Sequence, residues 1–169
     1  MNTQHLRLLA TALIMISITS CSSKKMRQVT SSMEPTIKKN EIISVDFNAY
    51  SSKPPNRWDV VLFEAPIKNQ GQWIKRVVGL PGEVVDFTSA GMTINGSPIS
   101  SPPLLSLLPY SPPNRQPEVN SYGIAQIKYP YTIPSGQYFV IGDNAQNSLD
   151  SRHFGAIDEK KVLGKVRGK

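Results

Sequence analysis

The stretch Gln72–Glu83, QWIKRVVGLPGE, carries the strongest fold signal in this 169-residue chain. Its first part is rich in β-branched and aromatic residues, which favour a strand, and the segment GLPG then ends the strand in a turn. Alternation places Lys75 on the same face as Trp73 and Val77, whereas Arg76 lies on the opposite face. A lysine in such a strand either sends its amine to water at an edge or is held inside for a function.

The segments on both sides of this stretch show the same strand pattern. In EIISVDF, Ile43 and Val45 alternate with Ser44 and Asp46, which is the period of a half-buried strand. EVVDF and MTI, joined by TSAG, predict a hairpin, and NGSP predicts a second tight turn. Further strand-forming runs are DVVLFEAP (59–66), QYFVIGD (137–143) and KVLGKV (161–166). The chain is therefore expected to be mainly β, with no long helices after its N-terminal segment.

One region interrupts this pattern with prolines. Seven of the 14 prolines lie between Pro98 and Pro117. Because proline fixes φ and lacks a backbone N–H, this density excludes a central strand or a long helix. We expect a Pro-rich surface insertion at about 97–118 within a single domain that spans 29–169.

The N-terminus resembles an export signal. The apolar run Leu8–Ser20 has 13 residues, whereas a membrane-spanning helix needs about 20. We expect a signal-peptide-like segment at 1–20 and a membrane-proximal linker at 21–28. The ending ITSC, Ile18–Cys21, resembles the lipobox of bacterial lipoproteins, which implies a lipid on Cys21. An ordinary cleaved signal and a simple membrane anchor remain as alternatives.

Charge and cysteine content restrict the function only coarsely. Lysine plus arginine exceed the acids by 19 to 12, giving a net charge of +7. Such a surplus could favour anionic lipid headgroups or nucleic acid. The basic residues are scattered, without a basic helix or an interleaved aromatic platform, and so we expect no nucleic-acid partner. The single cysteine excludes an internal disulfide.

Lys75 is the residue best suited to activate a serine nucleophile. A serine hydroxyl needs a base to take its proton. Histidine is scarce, because His5 lies in the predicted signal segment and only His153 remains. A lysine can serve if burial keeps it neutral, although bringing its pKa from about 10.4 to near 7 requires roughly 4 to 5 kcal/mol. Lys75, in an apolar strand, meets that requirement.

Three segments, in order, together carry a family resemblance. The first is Ser32-Met33-Glu34-Pro35-Thr36 and the second is Lys75–Gly82, Lys-Arg-x-x-Gly-x-Pro-Gly. The third consists of Gly142, Asp143, Asn144, Ser148, Asp150, Ser151, Arg152 and Gly155. These motifs resemble the bacterial type I signal peptidases, membrane-bound Ser/Lys endopeptidases, over about Val29 to Val166. The resemblance implies a signal-peptidase/LexA-like β fold.

The resemblance also implies roles for single residues. Ser32 corresponds to the nucleophile and Lys75 to the general base. The backbone N–H of Ser32 and the hydroxyl of Thr30 correspond to the oxyanion hole. Ser148 matches a serine that hydrogen-bonds and orients the lysine. The remaining motif residues are expected to shape the site, with Asp150 and Arg152 as an ion pair and Asp143 and Asn144 as turn-forming residues.

The implied substrates are exported preproteins with small residues at the first and third positions before the cut. No metal or cofactor is implied. The expected location is a membrane surface on the periplasmic or extracytoplasmic side, in contact with membrane lipid and tethered through Cys21 if that residue is lipidated. One departure from the family is Trp58, which stands where the family usually has glycine.

Three alternative functions remain open at this point. The first is a specialised processing peptidase with one or a few clients, of the conjugative-transfer maturation type. The second is a non-catalytic lipoprotein that binds peptides. The third is a LexA-type self-cleaving regulator, which the N-terminal apolar run and the long third motif oppose.

Overall fold

The computed structural model describes residues 23–88, 91–99 and 127–169. The predicted signal-peptide segment, Cys21 and most of the Pro-rich insertion lie outside these residues, so those expectations remain predictions. Within the described ranges, no helix is both long and apolar enough to cross a membrane.

The described residues form two antiparallel sheets. The strands are β1 (Ser23–Arg27), β2 (Ile42–Asp46), β3 (Val60–Glu64), β4 (Gln72–Gly79), β5 (Val84–Thr88), β6 (Gly91–Ile94), β7 (Ser97–Pro98), β8 (Tyr131–Thr132), β9 (Gln137–Ile141), β10 (Ile157–Asp158) and β11 (Val162–Val166). The larger sheet has the order β1-β2-β11-β3-β4-β9-β10 and the smaller has the order β7-β6-β5-β8. The mainly β prediction is confirmed.

Helical structure in the described ranges is confined to short segments. These are the α-helix α1 (Ser151–Phe154) and the 3-10 helices Ala145–Asn147 and Glu159–Lys161. The expected hairpins form, because β5 pairs with β6 and β6 pairs with β7. The structure therefore agrees with the strand pairing expected on either side of β6.

Strand β4 lies inside the larger sheet, between β3 and β9. Every residue from Ile74 to Gly79 is buried, because both faces of this part of the strand are covered. A Cβ atom at Gly79 would come within 2.4 Å of Ile133 Cδ1 and 2.9 Å of Phe139 Cβ. Glycine is needed here because the side chains of Ile133 and Phe139 approach the backbone of β4 closely.

The predicted linker at 21–28 is partly a strand. Ser23–Arg27 pairs with β2 over five residues, with Met26 opposite Ile43. The pattern did not reveal this strand, because Met26 is its only large apolar residue and its lysines are exposed. Charged residues are typical of an edge strand, which gains its order from pairing.

Trp58 has a backbone conformation that glycine adopts more readily, which agrees with the glycine that the resemblance led us to expect at this position. Its φ is 75°, in the left-handed region that glycine adopts without a steric penalty. The Trp58 N–H donates to the carbonyl of Val77 at 2.8 Å, and its own carbonyl accepts from Arg76 Nη1 at 2.9 Å. These two bonds hold a conformation that is costly for a tryptophan.

Candidate active site

Ser32 and Lys75 meet inside the protein. Lys75 Nζ lies 2.8 Å from Ser32 Oγ and donates to the carbonyl of Ile74 at 3.1 Å. Lys75 is 4% exposed and Ser32 is 5% exposed. The two residues are 43 positions apart in sequence, and so the fold has to bring them together. The structure places them within hydrogen-bonding distance, as a Ser/Lys pair requires.

The loop that carries Ser32 is fixed from both sides. Met33 and Ile37 are completely buried in the core beneath it. The N–H of Asn144 donates to the Ser32 carbonyl at 3.0 Å, and its side-chain amide donates to the Ser31 carbonyl at 3.2 Å. Asn144, expected to form a turn, thus connects the third motif to the nucleophile loop.

Burial lowers the pKa of Lys75 from 10.5 to about 8. Removal of the amine from water disfavours its charged form, and the nearby Arg152 acts in the same direction. The carboxylates of Asp150 and Asp143 raise the pKa and oppose part of this effect. Because the pKa of Lys75 is below the ordinary lysine value, a substantial fraction of Lys75 is neutral in mildly alkaline solution and able to accept a proton.

Asp150 and Arg152 form the expected ion pair. Arg152 Nε lies 2.8 Å from Asp150 Oδ1, and its Nη2 lies 2.9 Å from Oδ2. Burial alone would raise the pKa of Asp150, but His153 and the Arg152 guanidinium more than compensate, so the pKa is below its usual range. His153 belongs to the cap of α1 with Asp150, whereas Ser32 Oγ contacts Lys75 and Thr30.

A second buried ion pair joins Arg76 to Asp143. Arg76 Nε lies 2.9 Å from Asp143 Oδ1, and its Nη2 lies 2.5 Å from Oδ2. Asp143 is completely buried. Because its carboxylate pairs with Arg76 of β4, Asp143 does more than shape a turn. Strand alternation predicts that Arg76 lies on the face opposite Lys75, but it does not predict which carboxylate Arg76 binds. Its place in the second motif was the available signal.

Thr30, the expected oxyanion donor, lies beside Ser32. Its Oγ1 is 3.1 Å from Ser32 Oγ. The same oxygen accepts a hydrogen bond from Gln28 Nε2 at 3.2 Å. Gln28 is buried and was not among the sequence-predicted site residues, because a single glutamine at the end of a strand gives no recognisable signal.

Ser148 does not make the hydrogen bond expected from it. Its Oγ is buried and is without a hydrogen-bond partner within the described part of the chain. The hydroxyl instead fills the space above Gly142, where an added Cβ would lie 2.1 Å from it. The same Cβ would lie 2.5 Å from the Ser32 carbonyl oxygen. Gly142 therefore allows Ser148 and the nucleophile loop to pack closely. The second hydrogen bond of Lys75 goes to the main-chain carbonyl of Ile74 and not to Ser148.

An open cleft of about 430 Å³ leads to the Ser32–Lys75 pair. Its walls combine apolar and amide side chains. They include Leu62, Gln70, Gln72, Trp73, Ile74 and Leu149. Across the described ranges, no three histidine, cysteine, aspartate or glutamate side chains are grouped so as to hold a metal ion. A buried serine and a lysine of lowered pKa at the end of a cleft can perform nucleophilic acyl transfer.

Comparison with known proteins agrees with this chemistry. The family model described as "Signal peptidase, peptidase S26" matches residues 2–168. Signal peptidase I V of Bacillus subtilis is 34% identical over 135 residues, which cover 80% of this chain and 78% of that protein. Signal peptidase IB of Staphylococcus aureus is 34% identical over 142 residues, covering 80% of this chain and 71% of the relative.

A solved structure is similar as well. The crystal structure of a signal peptidase I from Enterococcus faecalis superposes with a TM-score of 0.50 at 32% sequence identity. The match covers 67% of this chain and 97% of the other.

Proposed function

Because this chain belongs to the signal peptidase family, peptidase S26, we propose that Ser32 and Lys75 carry its reaction. Its family and its relatives identify the chain as a serine endopeptidase that cleaves signal peptides from exported preproteins. The 2.8 Å contact between Lys75 Nζ and Ser32 Oγ is the observation that supports the assignment to these two residues. The dedicated peptidase, the LexA-type regulator and the non-catalytic binding protein are not favoured.

The reaction begins with proton transfer from Ser32 to Lys75. Neutral Lys75 takes the hydroxyl proton while Ser32 Oγ attacks the scissile carbonyl carbon. The Ser32 N–H and the Thr30 hydroxyl stabilise the negative charge that develops on the carbonyl oxygen. Protonated Lys75 then supplies its proton to the leaving amine, and the acyl group stays on Ser32. Water, deprotonated by Lys75, hydrolyses this acyl-enzyme.

The substrate lies in the cleft as an extended chain with small residues at the first and third positions before the cut. The approach to Ser32 is open, and its walls include Leu62, Ile74 and Leu149. A short apolar side chain can pack against these apolar residues. A charged side chain would lose its hydrating water there without gaining an ion-pair partner.

The site faces a membrane on the extracytoplasmic side, held there through Cys21. In support, β1 begins two residues after Cys21, and its exposed Lys24, Lys25 and Arg27 can bind anionic headgroups. A diacyl or triacyl group on Cys21 would anchor the chain stably. Cells grown with radiolabelled fatty acid should label the wild type and leave Cys21→Ala unlabelled. Equal labelling of both would contradict the lipid anchor.

Cleavage of a preprotein with an Ala-x-Ala site tests the proposed function. We expect the wild type to cleave, and we expect loss of Ser32 to lower the rate by roughly 10⁴-fold or more, as removal of a nucleophile does. Ser32→Ala is the test variant, and Ser31→Ala is the matched control because it removes the adjacent hydroxyl only. Ser31→Ala should keep its activity. Equal rates for all three proteins would refute the assignment of Ser32.

A further inference from the structure

Gln28 is a buried amide held firmly beside the candidate oxyanion hydroxyl. It is 6% exposed. Its backbone N–H donates to Glu41 at 2.9 Å, and its carbonyl accepts from Asn40 at 2.6 Å. The side-chain Nε2 donates to Thr30 Oγ1 at 3.2 Å. Both the backbone and the side chain of Gln28 thus have defined positions at the edge of the cleft.

Thr30 differs from Gln28 because it is exposed. A threonine hydroxyl has one proton and two lone pairs, and in water its proton can turn in several directions. An oxyanion donor works well only when its proton is already aimed at the site where charge develops. Donation from Gln28 occupies one lone pair of Thr30 Oγ1. Ser32 Oγ, 3.1 Å away, is then an acceptor within reach of the Thr30 proton.

The contacts form one continuous chain, which has a single direction when Lys75 is neutral. Gln28 donates to Thr30. Either hydroxyl could donate in the 3.1 Å contact between Thr30 Oγ1 and Ser32 Oγ, and in this chain of bonds Thr30 is the donor. Lys75 Nζ donates to Ser32 Oγ at 2.8 Å when it is charged, and when it is neutral its lone pair can accept the Ser32 proton across the same distance. Lys75 also donates to a main-chain carbonyl. Each hydroxyl in this chain accepts one hydrogen bond and donates one. Hydrogen bonds in such a series polarise one another, so a donor at the beginning makes the Thr30 hydroxyl a better donor.

We propose that Gln28 is a positioning residue that aims the Thr30 proton at the reacting serine and, in the transition state, at the oxyanion. Gln28 acts through Thr30 and does not touch the reacting atoms. This inference rests on the proposed function of Ser32 and Lys75 and adds a residue to it. The direction of the Thr30 proton is set by the protein before the substrate arrives.

Preprotein cleavage by variants of Gln28 and Thr30 tests this proposal. Removal of a direct oxyanion donor costs about 10²-fold to 10³-fold in kcat, and so we expect a loss in this range for Thr30→Val and a smaller loss, about 10-fold, for Gln28→Leu. The KM of Gln28→Leu should change by less than about twofold, because only transition-state stabilisation is lost. The double variant should have the kcat of Thr30→Val alone.

Gln28→Glu is a second variant of the same shape. Its carboxylate can only accept a hydrogen bond and would turn the Thr30 proton away from Ser32. We therefore expect its kcat at neutral pH to fall below that of Gln28→Leu. This variant also keeps the proposal testable if Gln28→Leu does not fold, which thermal unfolding of each variant will show.

Three results would overturn the role of Gln28. They are wild-type kcat in Gln28→Leu, full activity in Gln28→Glu, and an equal loss from Gln28→Leu with and without the Thr30 hydroxyl. The last of these would mean that Gln28 acts by packing. Ser32→Ala, measured alongside, separates this failure from failure of the proposed function. If Ser32→Ala is inactive and Gln28→Leu is unimpaired, only the inference about Gln28 is wrong.

Discussion

Replacement of Lys75 by Met is expected to abolish cleavage and, near pH 6, to raise the free energy of unfolding. Burial lowers the pKa of Lys75 from 10.5 to about 8, and a shift of this size corresponds to about 3 kcal/mol. Near pH 6, Lys75 is protonated in both the folded and the unfolded chain. The folded protein then bears the cost of a buried ammonium group, which a methionine of similar length does not.

The gain in stability should disappear as the pH rises. Between pH 8 and 10.5, the unfolded chain holds a proton on Lys75 that the folded chain has lost, and so the stability of the wild type increases with pH in this window. The difference between Lys75→Met and the wild type should therefore shrink across it. Urea unfolding at several pH values measures both curves. A Met variant that is less stable near pH 6, or a difference that does not change with pH, would contradict the burial of a chargeable amine.

Removal of Arg152 is expected to destabilise the fold strongly. Asp150 is completely buried, and Arg152 binds both of its carboxylate oxygens. Arg152→Met would leave this carboxylate without its cation, and breaking a buried ion pair on one side costs about 3–5 kcal/mol. The positive charge of Arg152 also helps to lower the pKa of Lys75, which Asp150 raises. Any folded Arg152→Met protein should therefore have a higher Lys75 pKa.

An exposed ion pair provides the matched control for Arg152. Arg167 lies 2.8 Å from Asp46, the same length as the closest contact of Arg152, but its side chain is 56% exposed. Exposed pairs contribute about 0–1 kcal/mol, and so Arg167→Met should unfold almost like the wild type. Denaturant unfolding of the two variants measures the difference. Similar losses in both would show that burial of the Asp150 carboxylate is not what makes Arg152 important.

The strands and the Ser/Lys pair could be predicted from sequence because their signals are local. Alternation in β2 and the apolar run of β4 each report their own burial. The motifs around Ser32 and Lys75 likewise carry fixed spacings that can be read directly. Even the departure at Trp58 pointed to a real feature, since the structure places this residue at a positive φ.

The features that escaped prediction depend on contacts distant in sequence. β1 is a strand because it pairs with β2, although its own residues are mostly charged. The partnership of Arg76 with Asp143 spans 67 positions. The hydroxyl of Ser148 lies against Gly142 at the point where the carbonyl of Ser32, distant in sequence, also packs. Such choices depend on three-dimensional neighbours, which one sequence does not display.

Direct titration of Lys75 tests the central claim that a buried, partly neutral lysine activates Ser32. The protein is labelled with ¹³C at the ε carbon of lysine, and the Lys75 signal is the one missing from Lys75→Met. Its chemical shift is followed by NMR from pH 6 to 11. We expect a midpoint at about 8, well below the ordinary value of 10.5. A midpoint at the ordinary lysine value would mean that Lys75 is fully charged at neutral pH, and it would contradict the activation of Ser32 by a partly neutral Lys75.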